Sequence, residues 1–205
     1  NEAPLCIDLE VAASCDLACP HCYRQYIATP DKIISKTLAF SVIDQASKLN
    51  VPSMKFNWRG EPLLCQELEL YIDYAKKNGI LETIINTNAT LLDEKRSKKL
   101  IESGLDFLIF SFDGGSKESY EANRPGRFRK NTFEIVYENI KTFSRVKREL
   151  GSPFPLTKIQ MILTDTTFHE QKNFFDLFSP YVDIVTVTQY SERGLKSSDL
   201  TPDQL

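Results

Sequence analysis

Apolar residues recur along the chain in six short runs, at 6–11, 54–58, 83–87, 106–112, 157–163 and 183–189, each rich in β-branched or aromatic side chains. Runs of that length and make-up predict β-strands. Between them the period lengthens to that of a helix. Residues 36–50 place Leu38, Val42, Ala46 and Leu49 on one helical face, and 66–78 carry Leu68, Ile72 and Ala75. Helical stretches at 93–103, 132–150 and 167–179 follow, the second of these marked by Phe133, Val136, Ile140, Phe143 and Leu150. Gly79, Gly104 and Gly151 stand where three of these helices should end, and the last stops before Pro180.

Strands that alternate with helices predict βαβ units and a parallel sheet. Six units in 205 residues is about 34 residues each, near the usual length of such a unit. A closed eight-unit barrel takes about 250 residues. The expected class is therefore α/β, an open (β/α)6 partial TIM barrel, with a doubly wound sheet as the alternative that periodicity leaves open. The expected domain is 1–194, followed by a polar tail at 195–205 that leads toward a further domain. The chain opens at Asn1 rather than Met and reads as a fragment.

Composition is ordinary for a globular protein, with 41% hydrophobic and 26% charged residues and a net charge of −3. That balance predicts no nucleic-acid footprint. The one basic run, Arg124-Pro-Gly-Arg-Phe-Arg-Lys130, reads as a solvated loop for most of its length. No apolar stretch reaches the ~18 residues of a membrane span, and no signal-peptide pattern is visible. Five cysteines, three of them clustered, do not form a disulfide framework, which predicts a reducing, cytoplasmic setting.

The cluster carries the chemistry. Cys15, Cys19 and Cys22 form C-x3-C-x2-C with no fourth cysteine nearby. Soft thiolates favour zinc, copper(I) or iron–sulfur centres. Structural zinc wants four closed ligands and would have to recruit His21 or Cys65. An electron carrier also wants a fourth thiolate. Three thiolates hold three corners of a [4Fe–4S] cube and leave one iron open. Pro20 keeps Cys19 away from helical angles, which suits a loop around a cluster.

Polar residues gather at every other predicted strand end, where parallel α/β folds place their sites. These are Arg59-Gly60-Glu61-Pro62, Asn86-Thr87-Asn88-Ala89, Ser111-Phe112-Asp113-Gly114, Gln160 within the fifth strand, and Gln189-Tyr190-Ser191-Glu192. Asp113, beside two glycines, also reads as a turn cap. Cys6 and Cys65 read as small buried residues, His169 as a surface residue, and Trp58, Phe112 and the phenylalanines of 174–178 as packing. No nucleophile elbow supports a hydrolase.

These motifs resemble the radical S-adenosylmethionine (SAM) enzymes over nearly the whole chain. The cluster motif appears with His21 in its aromatic slot, the Gly-Gly-Glu-Pro motif as Arg59-Gly60-Glu61-Pro62, and the Thr-Asn-Gly turn as Thr87-Asn88-Ala89. Phe110-Ser-Phe-Asp-Gly114 followed by Asn123-Arg-Pro-Gly126 is similar to the SPASM or twitch subgroup, many of whose members modify peptides or proteins. The resemblance implies a [4Fe–4S] cluster on the three cysteines, SAM on the open iron, and reductive cleavage of SAM followed by hydrogen abstraction. It implies SAM contacts from His21 (through its backbone), Gly60, Glu61 (to the ammonium), Ser111 and Arg124 (to the carboxylate), with Asn88, Asp113 and Gln160 as further candidates. Implied partners are a peptide, protein or small-molecule substrate and an external flavodoxin- or ferredoxin-like one-electron reductant. The alternative from another class is a non-catalytic iron–sulfur electron-transfer module. Two departures stand out. Arg59 replaces a glycine at the entrance, and Ala89 replaces a turn glycine, so the backbone there is expected to avoid positive φ. No cysteine after Cys65 can ligate the auxiliary clusters of the extended subgroup.

Overall fold

The computed structural model describes residues 3–26 and 30–189. The polar tail at 195–205, and Tyr190, Ser191 and Glu192, lie outside the described residues. Six strands, β1 (Cys6–Asp8), β2 (Ser53–Lys55), β3 (Glu82–Thr87), β4 (Phe107–Ser111), β5 (Leu156–Leu163) and β6 (Ile184–Gln189), form one sheet in the order β1-β2-β3-β4-β5-β6. Every neighbouring pair is parallel. A doubly wound sheet reverses its strand order at a switch point; this order never reverses. Right-handed crossovers repeated in one direction put the helices on one face and curl the sheet. The fold is the open (β/α)6 partial barrel.

The helices are α1 (Lys36–Lys48), α2 (Leu68–Lys77), α3 (Glu94–Glu102), α4 (Lys117–Asn123), α5 (Phe133–Glu149) and α6 (Gln171–Phe178). Gly79, Gly104 and Gly151 end α2, α3 and α5 with φ of +90°, +81° and +60°, the left-handed conformation that a helix stop requires. None of the five apolar patterns anticipates α4. Its mark is local instead: Ser116 and Ser119 form a capping box.

The burial of α1 differs from the predicted stripe. Ala39, Ile43 and Ala46 face the core, whereas Leu38 and Leu49 are exposed and Val42 is half-buried. Two overlapping stripes fit the same sequence, and the one with two alanines lets the helix lie closer to the sheet. Trp58 is likewise exposed rather than packed in the barrel, and Phe175 is exposed while Phe174 and Phe178 are buried. Cys6 is exposed, and Cys65 is buried as expected.

The strands are two-sided. Met54, Phe56, Ile85, Leu108, Phe110, Ile159 and Met161 are buried, while Lys55, Asn86, Ser111, Lys158 and Gln160 alternate with them at partial exposure. Interior and exterior positions alternate along barrel strands, so the second set lines the concave side. An aromatic group (Phe112, Tyr120, Phe133, Phe174 and Phe178) clamps α4 to α5 and α6, with Phe112 stacked on Tyr120 at 4.0 Å. Such pairs contribute about 0.5–1.5 kcal/mol each beyond area burial. The clamp fixes the short helix that delivers Arg124.

Candidate functional site

The loops at the C-terminal strand ends are sewn to one another. The Glu61 N–H donates to the Ser14 carbonyl at 2.8 Å. A Cβ on Gly60 would lie 1.8 Å from the Ala12 carbonyl oxygen, so only glycine lets this backbone pass so close to the chain leading into Cys15. Glu61 is buried. Its Oε1 accepts from Leu63 N–H at 3.0 Å and the Thr87 hydroxyl at 2.6 Å, and its Oε2 from Asn88 N–H at 2.8 Å. Burial pushes its pKa up to about 7 against the pull of those three donors. The carboxylate expected to meet a ligand ammonium is therefore chiefly the knot that ties the loop after β2 to the loop after β3.

The loop after β3 reaches back to the thiols. The Asn88 side-chain amide donates to Asp16 Oδ1 at 2.8 Å and lies 3.9 Å from Cys15 Sγ. The Thr90 hydroxyl donates to Asp16 Oδ2 at 2.5 Å, and Asn88 Oδ1 accepts from Thr90 N–H at 3.0 Å. Asn88, expected as a candidate for direct contact with SAM, spends its side chain on shaping the cysteine loop. Neither Asp16 nor Thr90 stood out in the sequence. The one available signal was an acid directly following a candidate ligand.

Ala89 contradicts its expectation, since its φ is +59°. The turn is over-determined. Ala89 N–H donates to Thr87 Oγ1 at 3.0 Å, and Asn139 donates to the Ala89 carbonyl at 2.8 Å. Those bonds and full burial hold an alanine where glycine is easier, at about 1–2 kcal/mol of strain.

The loop after β4 meets the same cysteine loop from the other side. Asp113 is buried, and its Oδ2 takes Arg124 Nε at 2.8 Å, Arg124 Nη2 at 2.6 Å and the His21 ring nitrogen at 3.2 Å. Its Oδ1 accepts from Ile162 N–H at 2.9 Å. Burial alone would raise this carboxyl, but Arg124, His21 and the amide hold it down at about 2. Asp113 is thus an ion-pair centre, not merely a turn cap. Ser111 donates to Asn86 Oδ1 at 2.7 Å, and Asn86 N–H donates to Asn57 at 2.7 Å. Gln160 stands opposite Ser111 in register. Arg59 lays its guanidinium 3.9 Å from the Trp58 ring centroid and 5.3 Å from that of Tyr23.

Within the thiol loop, Cys22 N–H closes a turn on the Cys19 carbonyl at 3.0 Å. Burial, then Glu61 and Asp16, push the Cys15 thiol up to about 12, and burial raises Cys19 against the pull of Arg124. These are thiols that become thiolates when a metal supplies the missing positive charge. Among the described residues no three Cys, His, Asp or Glu side chains surround one point as a mononuclear ion requires. Thiolates on separate irons of a cubane need not do so.

Residues 9–177 match the Radical SAM superfamily. The chain belongs to the radical SAM superfamily. This radical SAM domain is 29% identical over 145 residues to Fe-coproporphyrin III synthase of Methanosarcina barkeri, covering 70% of this chain and 35% of that protein. It is 31% identical over 121 residues to PqqA peptide cyclase of Granulibacter bethesdensis, covering 58% of this chain and 32% of that one. In fold it is similar to Streptococcus suis SuiB bound to its precursor peptide SuiA, with a TM-score of 0.73 at 20% identity over 93% of this chain and 40% of SuiB. The chain therefore spans about a third of the length of these two curated relatives. The cofactors of the superfamily are a [4Fe–4S] cluster and SAM, and the donor set fits them: three soft thiols on one loop.

Proposed function

We propose that the chain is the catalytic core of a radical SAM enzyme, with Cys15, Cys19 and Cys22 each holding one iron of the cluster. The chemistry the bound pair supplies is one-electron cleavage of SAM to methionine and a 5′-deoxyadenosyl radical, which takes a hydrogen atom from substrate. The observation that supports the reading is the close seam between Gly60–Glu61 and Ala12–Ser14, which ties the loop after β2 to the chain leading into Cys15. Gly60 lets the methionine end of SAM approach the backbone. Glu61 has one acceptor position left beyond its three donors and would offer it to the SAM ammonium. Arg124, whose Nε and Nη2 are spent on Asp113, would offer its remaining donors to the SAM carboxylate. Ser111 and Gln160, on the concave side, take the ribose and carboxylate edge. His21 meets the adenine through its backbone, its ring being engaged by Asp113. Asn88 and Asp113 act one step back, by setting the loop and Arg124.

The substrate is a peptide or protein in this proposal. Support comes from the Phe110–Gly114 and Asn123–Gly126 stretches and from relatives whose names specify peptides. A porphyrin-forming relative supports a second reading, a small molecule. The electron comes from an external one-electron carrier in a reducing, cytoplasmic setting; among the described residues no helix is long and apolar enough to cross a membrane. Anaerobic reconstitution is the test. About four irons per chain, a SAM-dependent spectral change and 5′-deoxyadenosine after reduction are expected. One zinc without colour, or iron uptake with indifference to SAM, defeats the proposal.

A further inference from the structure

The basic run read from sequence as a solvated loop is joined directly to the cysteine loop. Leu17 and Gly126 form an antiparallel bridge, Ala18 N–H donates to the Pro125 carbonyl at 2.9 Å, and Arg127 N–H donates to the Asp16 carbonyl at 2.8 Å. Arg124 turns inward to Asp113, but the four residues after Gly126 are exposed. Arg127 pairs with Asp31 at 2.9 Å and stacks over Phe128 at 4.7 Å. Among the described residues Arg129 has only long side-chain contacts, 3.9 Å to Asp16 and 3.4 Å to the Thr90 carbonyl. Lys130 meets no acid among the described residues. Phe128 is 67% exposed, which leaves a large apolar ring in solvent between cations.

From this we infer that the Arg127–Lys130 loop is the docking surface for an acidic one-electron carrier protein, the donor that reduces the cluster. The inference rests on the reading in Proposed function. Position supports it first. Phe128 lies two residues from Gly126, and Leu17 two residues from both Cys15 and Cys19, so the Phe128 Cα stands no more than about 20 Å from theirs. A carrier seated on the loop is thus brought against the outer side of the cysteine loop. Charge supports it next. The chain is net negative, so an acidic partner is repelled over most of the surface and drawn to this patch, which orients the encounter. Size agrees as well. Redox encounters use small, transient interfaces, for which one exposed aromatic ring flanked by arginine and lysine is a sufficient anchor. In the step served, the carrier loses one electron and the cluster gains it; with a flavodoxin, hydroquinone becomes semiquinone.

The test uses the anaerobically loaded chain, a flavodoxin and a [2Fe–2S] ferredoxin as probes, and the variants Lys130→Glu and Phe128→Ser. Two quantities are measured: the Kd for each oxidised carrier as a function of salt, and stopped-flow bleaching of the cluster by each reduced carrier or by dithionite. At least one carrier should bind the unmodified chain more weakly as salt rises. Lys130→Glu should weaken that binding about tenfold at low salt and flatten the salt dependence, and Phe128→Ser should weaken it at all salt concentrations. Dithionite bleaching and iron content should not change. If neither carrier binds, if the variants bind as the unmodified chain does, or if dithionite bleaching and iron content fall in parallel, the inference is overturned. Absence of iron uptake or of SAM cleavage with dithionite would instead overturn the parent reading, because the carrier Kd is read independently of turnover.

Discussion

Arg124 places Nε and Nη2 on a single oxygen of Asp113, at 2.8 and 2.6 Å, and the same oxygen meets the ring of His21 inside the thiol loop. One buried carboxylate therefore couples the end of α4 to the loop that carries Cys19 and Cys22. The other oxygen of Asp113 is tied to Ile162 in β5.

Asp113→Asn should break a buried pair and leave Arg124 uncompensated, a loss of about 3–5 kcal/mol. The double variant Asp113→Asn/Arg124→Met should lose less than the two single variants added together. Urea unfolding of all four proteins checks this; strict additivity would mean that the pair does not act as a unit.

Acid should expose the same group. The folded pKa of Asp113, about 2, lies below its unfolded value near 3.8. A depressed carboxylate contributes stability that is complete above the unfolded value and disappears as pH falls through the folded one. The contribution is about 2 kcal/mol, lost between about pH 4 and pH 2. Unfolding free energy measured against pH should lose that component in Asp113→Asn. An identical acid limb in both proteins would refute the assignment.

Gly60→Ala should be far worse than Gly79→Ala. The first sets a Cβ 1.8 Å from the Ala12 carbonyl, whereas the second has open space around it and only a positive φ to tolerate. At least about 3 kcal/mol is expected for Gly60→Ala and about 1–2 for Gly79→Ala. Iron retention should drop only in the first. Melting temperature and iron content of the two variants decide it.

Cys22→Ala should abolish cluster retention and deoxyadenosine formation while leaving the fold intact. The sheet core lies beneath the helices and does not include Cys22. Circular dichroism with an iron assay separates these outcomes; a variant that still loads four irons and cleaves SAM removes Cys22 from the ligand set.

Much of the fold was legible because its signals are local. The βα rhythm, the glycines that stop α2, α3 and α5, and the cysteine spacing depend only on residues close in sequence. The face of α1 was misread, apart from Ala46, because leucines at 38 and 49 outweigh the alanine at 39 in a hydrophobic count, while close packing favours the face with two alanines. Ala89 was misread because its positive φ is imposed by Thr87 and Asn139, one of them fifty positions away. α4 went unseen because seven residues carry too little periodicity, and its one buried side chain, Tyr120, is held by Phe112 and Phe133.

From the order of residues alone came an α/β chain of six repeating units with three metal-seeking thiols after its first strand, because period, chirality and ligand softness act over short distances. Tertiary structure alone decided that Glu61 knots two loops, that Asp16 and Asn88 brace Cys15, and that Asp113 turns Arg124 and His21 toward each other. Those roles arise when strand ends from distant parts of the chain meet in a low-dielectric seam, where every buried charge must find its partner.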